Sequence, residues 1–202
     1  MTTGRLAIWN DCAPGEEAGY EAWYQGEHLA ERVGIPGFLR GRRYRAHGKS
    51  PEYFTYYEVT EPGVLTSPAY LARVNDPTPA TRRIMAEVFR NMSRTICDAV
   101  SVHGHMRGAF AVTLPSSPIA IEAYLDLVTN ANALARLEIW EAVPDATGTN
   151  AEQALRGPDK TIAGCVFAEF LEQGPAETFA KGLEREGLGP PGIFSLLCEL
   201  QA

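Results

Sequence analysis

Six residues, Trp23 to His28, bring together an indole, a phenol, a carboxylate and an imidazole. Tyr24 and His28 stand four apart, so on a helix they share a side and can touch. An imidazole titrates near neutrality, which suits it to general acid–base work. Tyr24 is placed to orient that ring or to bind a substrate oxygen, and Glu27 and Glu31 to hold its other nitrogen. A run with Arg40, Arg42, Arg43 and Arg45 follows. A guanidinium there would bind a carboxylate or enolate through two parallel hydrogen bonds. A helix-surface ion-pair network, or charge guarding a sheet edge, would use the same residue types.

The elements that must position these groups are legible. A helix is expected from Glu16 to Val33, stopped by Gly34, Pro36 and Gly37. At 100° per residue Gly19, Ala22, Gly26, Leu29, Ala30 and Val33 form an apolar stripe, with Trp23 at its margin. Tyr24 and His28 lie opposite that stripe. A catalytic role therefore needs a cover for them, from the Asn10–Gly15 loop or a neighbouring chain. The strand Phe38–His47 alternates, placing Arg40 and Arg42 with Phe38 and Tyr44, and Arg43 and Arg45 with Leu39. The strand Tyr53–Thr60 sets Tyr53, Thr55 and Tyr57 on one face and Phe54, Tyr56 and Glu58 on the other. Such an aromatic lining with polar tips suits a small apolar or aromatic molecule.

The first strand is Leu6–Trp9. Ser67-Pro68 and Thr78-Pro79 each place a capping hydroxyl before a proline that opens a helix. The second of these helices is expected from Pro79 to about Asn91, and a strand from Thr95 to Val102. The order is β-α-β-β-α-β. It repeats: a strand Ala109–Leu114, a helix from Ser117-Pro118 with Ile121, Tyr124, Leu125 and Val128 inward, and a strand Leu134–Val143. A polar excursion from Asp145 to Asp159 follows. A strand Thr161–Leu171, a helix from Gly174-Pro175 and a strand Ile193–Leu200 close the chain. The division is residues 1–105 and 106–202, each a ferredoxin-like unit. Each sheet has one uncovered face, and the two faces can close on each other as a barrel.

Composition narrows the function. The chain has 202 residues, 45% of them apolar, and a net charge of −7. Residues 1–105 carry 12 basic and 12 acidic side chains, and residues 106–202 carry 6 and 13. An acidic chain with no large basic patch argues against nucleic acid or an anionic membrane as partner. No apolar run approaches the roughly 20 residues of a membrane span, and no secretory signal is visible. Cys12, Cys97, Cys165 and Cys198 form no paired motif and read as free thiols in a cytoplasmic protein. His103, His105 and His47 do not make a metal motif. No glycine-rich phosphate loop or nucleophile elbow is present. No cofactor and no metal are expected, and a homodimer is compatible with the pattern.

The runs WYQGEHLAERVGIPGFLRGRRYRA, PEYFTYYEV and VLTSPAYLARVNDPTPATRR resemble the EthD-like branch of the dimeric α+β barrel superfamily, in particular its bacterial tandem-repeat proteins. The resemblance is specific over residues 5–100 and topological beyond. It implies an α+β fold, tandem ferredoxin-like (βαββαβ)2 units forming an intrachain barrel. Its motif falls on Trp23, Tyr24, Glu27, His28, Arg43, Tyr44 and Tyr57. The second half keeps only Tyr124 of the first helix motif, so one working site per chain is expected. The superfamily includes lyase-like, cyclase, isomerase, monooxygenase and haem-binding proteins. The leading expectation is a cofactor-free lyase, isomerase or cyclase working by proton transfer on a small aromatic or polyketide-like carbonyl compound. His28 and Tyr24 would be catalytic, and Trp23, Arg43, Tyr44, Tyr57 and Glu58 would bind substrate. The alternatives are a ligand-binding protein and a haem- or oxygen-using oxidase or monooxygenase.

Overall fold

A computed structural model describes residues 3–48, 51–115, 131–144 and 150–202. Eight strands close into one antiparallel barrel: β1 (Gly4–Cys12), β2 (Phe38–Ala46), β3 (Tyr53–Val59), β4 (Phe89–His103), β5 (Phe110–Pro115), β6 (Leu134–Ala142), β7 (Gly164–Phe170) and β8 (Gly192–Gln201). Around the barrel the order is β1-β3-β2-β8-β5-β7-β6-β4. Strands β1–β4 and β5–β8 thus repeat one order, and their outer strands join at β2–β8 and β4–β6. The fold is the α+β barrel expected, and β2 is therefore not an edge. Its arginines do not guard against mispairing, because β3 and β8 pair with it on both sides.

Helices lie outside. The first is α1 (Glu17–Trp23), a π-helical turn (Tyr24–His28) and α2 (Leu29–Val33), one continuous rod. Then come α3 (Pro68–Asn75) and α4 (Pro79–Arg83), the latter extended by a π-helical turn (Ile84–Val88). Ser67 and Thr78 cap α3 and α4 as their hydroxyls predict, accepting from the backbone N–H three residues on. The second half contributes α5 (Ala151–Arg156) and α6 (Gln173–Arg185). The helix expected from Ser117, with Tyr124, lies outside the described residues.

Three boundaries or faces differ from expectation, each for a physical reason. The helix after Pro79 ends at Val88, where the backbone turns extended at Phe89 and left-handed at Asn91 (φ 52°). Strand β4 therefore begins six residues early and carries Arg94. A bulge between Phe38 and Arg40 puts Phe38 on the helix side, against Tyr57 and Tyr70, and not beside Arg40 and Arg42. Gly19, Ala22, Gly26 and Ala30 are exposed, while Tyr20, Trp23, Tyr24, His28, Leu29, Arg32 and Val33 are buried. The buried face is the aromatic one: large rings remove far more apolar area from water than Gly and Ala do. The π-turn adds a residue, which brings Leu29 and Val33 round to that face.

Aromatic rings fill the centre of the barrel. Phe54 sits at its centre, with Trp9, Tyr44 and Phe194 at centroid distances of 5.0, 5.6 and 5.5 Å. Trp140 and Phe167 stack at 4.9 Å. One end is closed by charge. Arg5 Nε donates to Glu138 at 2.8 Å, Arg107 Nη2 to Glu58 at 2.6 Å, and Arg40 Nη1 to Glu199 at 2.9 Å. Arg42 pairs with Glu169, which also accepts from the Tyr44 hydroxyl at 2.6 Å. Burial raises the Glu138 carboxyl, but Arg5 and Arg136 outweigh it and hold that group down at about 2.

This plug predicts a stability result. Glu169→Ala would leave the buried Arg42 without its nearest carboxylate, at a cost of about 3–5 kcal/mol. Lys181→Ala on the exposed side of α6 should change stability by less than about 0.5 kcal/mol. Urea unfolding of the two variants checks this, and a Glu169→Ala loss as small as that of Lys181→Ala would contradict the plug's role.

Candidate functional site

The sheet divides the residues singled out by the sequence. Tyr44 and Glu58 point into the barrel and belong to its aromatic core and its ionic plug. Trp23, Tyr24, His28, Arg43 and Tyr57 lie on the other face, between the sheet and the first helical rod. They do not form one site with the barrel pair. Glu58 is committed to Arg5, Arg40 and Arg107.

Close approach of helix and sheet shapes this layer. A Cβ at Gly41 would sit 2.7 Å from Leu29 Cδ1 and 2.9 Å from Tyr57 Cε1, so glycine lets α2 rest on β2 and β3. The His28 ring stacks on Trp23 with centroids 4.1 Å apart, and Tyr24 meets it edge-on at 5.1 Å. Trp23 is fixed by its indole N–H, which donates to Thr81 Oγ1 at 3.2 Å. Arg43 lies 4.3 Å above the Tyr24 ring, between Tyr20 and Tyr53, and pairs with Glu21. It therefore serves as the cation in a tyrosine cage.

The carboxylates expected to hold His28 do other work. Glu27 accepts from the Thr78 and Thr81 hydroxyls and so ties the rod to α4. Glu31 Oε2 stands 3.8 Å from His28 Nδ1, too far for a hydrogen bond, and Arg73 donates to Glu31 Oε1 at 3.1 Å.

His28, Tyr24, Arg32, Tyr57, Tyr70 and Arg94 border a cavity of about 20 Å³. The cover is α5, from the second half of the chain, and not the Asn10–Gly15 loop. Glu152 pairs with Arg32, Asn75 Oδ1 accepts from the Ala151 N–H at 3.0 Å, and Arg156 reaches Met85 Sδ at 3.6 Å. Asp159 holds Arg156 at 2.7 Å. The expected Asn10–Gly15 loop is strand as far as Cys12, and the turn after it binds the end of the π-turn after α4, with the Ala13 N–H donating to Val88 O at 2.9 Å.

The electrostatics follow from this enclosure. His28 is only 4% exposed. Burial pushes its imidazole well below the ordinary histidine range, and Arg32, Arg156 and Arg43 push it the same way. It is a neutral base at physiological pH. Burial holds the Tyr57 phenol well above its usual value and raises Tyr24 too, although Arg43 opposes the latter. Both phenols are therefore neutral donors. His28 Nδ1, Arg32 Nη1 and the Tyr57 hydroxyl have no hydrogen-bond partner among the described residues. Polar atoms so buried are ordinarily paired, and an unpaired group is a pointer to function. The site can take a proton and stabilise negative charge on an oxygen.

Arg32, Tyr70, Arg94, Glu152 and Arg156 were not singled out by the sequence. Arg32 stands four residues beyond His28 on the same face, so the spacing that selected Tyr24 also points to it. Larger hollows lie elsewhere. One of about 520 Å³ beside α6 is lined chiefly by apolar side chains, and one of about 470 Å³ opens at a barrel mouth beside Trp9 and Lys160.

No family model matches the sequence, and no curated protein matches it. Solved structures do. An anthrone oxidase-like protein is similar over 100% of this chain and 93% of its own, at 7% identity and TM-score 0.62. A protein of Fusobacterium nucleatum provisionally named a monooxygenase is similar over 99% and 94%, at 8% identity and TM-score 0.59. A haem-binding protein of Thermus thermophilus is similar over 98% and 92%, at 11% identity and TM-score 0.52. These names overturn the leading expectation of a lyase, isomerase or cyclase: they belong to oxidation, oxygenation and haem binding. The cavity beside His28, about 20 Å³, is far smaller than the several hundred Å³ that a haem or a polycyclic aromatic molecule needs, so either would enter only by displacement of its walls. His47, His103 and His105 are exposed, and no cluster of metal-ligating side chains occurs among the described residues.

The buried neutral His28 predicts a pH effect on stability. The unfolded chain protonates this residue below about pH 6.5 while the folded chain does not. The unfolded state then binds more protons, so stability falls as pH falls through that value, by at most about 1.4 kcal/mol per pH unit. His28→Gln should lose less stability than wild type between pH 7.5 and pH 5. Chemical denaturation at both pH values measures it, and equal losses would show that His28 is not held neutral. The protein has the dimeric α+β barrel fold, with both halves of the barrel supplied by one chain.

Proposed function

We propose that this chain is an oxygen-using oxidase or monooxygenase of small aromatic compounds that carry an acidic C–H or O–H, with His28 as its base. The observation that carries this reading is the neutral, desolvated imidazole of His28, facing a cavity whose wall also holds Arg32, Tyr57 and Arg94. The names of the structurally similar proteins support the oxygen chemistry. The motif runs support placement in the EthD-like branch, with residues 1–105 as the unit that carries the site and residues 106–202 as the unit that covers it. Buried Cys12, Cys97 and Cys165 fit a reducing cytoplasm.

The reaction balances with dioxygen alone. His28 takes the proton of an activated methylene, as in an anthrone, and leaves a carbanion whose charge spreads onto the ring oxygen. Arg32 and the Tyr57 hydroxyl stabilise that oxygen. The carbanion passes one electron to dioxygen, and the resulting radical pair joins as a hydroperoxide anion. Protonated His28 returns the proton. Loss of water from the hydroperoxide then gives the ketone, so CH2 and O2 become C=O and H2O. Trp23 fixes the plane of the base, and Tyr24 meets its edge. The aromatic layer keeps water from the carbanion. The cavity of about 20 Å³ must widen to take an aromatic substrate, and displacement of α5 is the opening we infer.

Oxygen uptake tests the reading. With 1,8-dihydroxyanthrone, wild type should consume one O2 per substrate faster than the uncatalysed autoxidation. Removal of one general base lowers rate by about 10² to 10⁴, so His28→Gln should fall by that factor while remaining folded. Uptake no faster than autoxidation across anthrones, naphthols and catechols would reject an oxidase. Equal rates in wild type and His28→Gln would reject His28 as its base.

A further inference from the structure

The guanidinium groups around the His28 cavity are not alike. Arg32 has Glu152, and Arg156 has Asp159. Arg94, on β4, is only 7% exposed, and among the described residues the one hydrogen bond of its guanidinium is from Nη2 to the Tyr70 hydroxyl at 2.7 Å. No carboxylate lies within 4 Å of it among the described residues. A phenol carries no charge to answer a guanidinium, and a buried cation without an anion is costly. The cost has no structural return that Tyr70 could not give to a neutral donor. Arg32 Nη1 and the Tyr57 hydroxyl line the same cavity without a hydrogen-bond acceptor among the described residues, although Glu31 stands 3.8 Å from Arg32 Nη1. Arg94 is therefore the one arginine of the cavity with no carboxylate within 4 Å among the described residues.

We propose that Arg94 is the specificity residue of the site: it takes a carboxylate carried by the aromatic substrate, so that the protein selects acidic aromatic compounds over neutral ones. This rests on the oxidase reading only for the reaction that follows, since binding of the anion is independent of turnover. Arg94 offers two edges of a planar fork, and a carboxylate accepts two parallel bonds from it. Tyr70, fixed by stacking on Phe38 with centroids 6.0 Å apart, holds the guanidinium plane in place. It is a positioning residue. Closure of α5 over the bound molecule would take the ion pair out of water, where it is strongest.

The test uses two stable quinones that differ in one group, 4,5-dihydroxyanthraquinone-2-carboxylate and 1,8-dihydroxyanthraquinone. Calorimetric affinities and thermal shifts are measured on the full chain in wild type, Arg94→Met and Arg94→Lys. Wild type should bind the carboxylate about tenfold or more tightly than the neutral quinone, since a hydrogen bond to a charged group is worth that much. Arg94→Met should erase the preference and leave the neutral quinone's affinity within about threefold, and Arg94→Lys should restore part of it. The ligand-free Arg94→Met protein should melt no lower than wild type, because it sheds an uncompensated buried charge. A lower melting temperature with an unchanged preference would make Arg94 a structural residue and overturn the proposal. Equal wild-type affinity for the two quinones would overturn it too, as would no binding of either. In both of those cases oxygen uptake with 1,8-dihydroxyanthrone would still judge the oxidase reading separately.

Discussion

Closure of the sheet is the constraint on which everything else depends. A four-stranded sheet with helices on one face leaves the other face bare and its outer strands unpaired. Joining β2 to β8 and β4 to β6 answers both needs at once. The interior then has to be filled to protein density. Phe54, Trp140 and Phe167 do that at the centre, and the arginine–glutamate plug does it at one end, where Arg42 and Glu169 meet out of water. The barrel is packed at its centre, and the hollow at its mouth stops against Trp9 and Phe194. The reactive groups are displaced to the outer layer, under the first helical rod.

That displacement explains why alternation along one strand parts neighbours by function. Tyr56 and Glu58 look inward and are structural, while Tyr57 between them looks outward and lines the cavity. The same alternation parts Arg42 from Arg43. Arg42 locks the plug, and Arg43 binds three tyrosine rings that hold the rod to the sheet. Four arginines in six residues read as one patch along the chain, yet fold into two unrelated environments.

Much of this is legible in the sequence. Element order, the hydroxyl-proline caps at Ser67 and Thr78, and the two faces of Tyr53–Val59 follow from local rules that tertiary packing did not override. The face of the first helix was not legible. Counting Gly19, Ala22 and Gly26 as apolar gave them the weight of a stripe, although area and not number decides which face is buried. The π-turn then shifted Leu29 and Val33 by one position, and such a turn has no sequence signature as strong as a cap. Arg94 was hidden because β4 starts at Phe89, inside what reads as a continuing helix. Glu152 and Arg156 were hidden because they reach the site from 120 or more positions away, across the whole barrel topology.

The origin of α5 has a consequence for how such a protein can change over time. In a symmetric dimer of identical subunits, any residue that serves as a site on one copy is repeated on the other, and so is anything that covers it. A duplicated and fused chain is released from that rule. One copy keeps the imidazole, and the other is free to trade its own for a piece of backbone that reaches across. Here Glu152 and Arg156 belong to the half whose sequence carries no W-Y-x-x-E-H run, and they close over the half that does. The two halves thus divide the labour between them, one holding the imidazole and the other covering it.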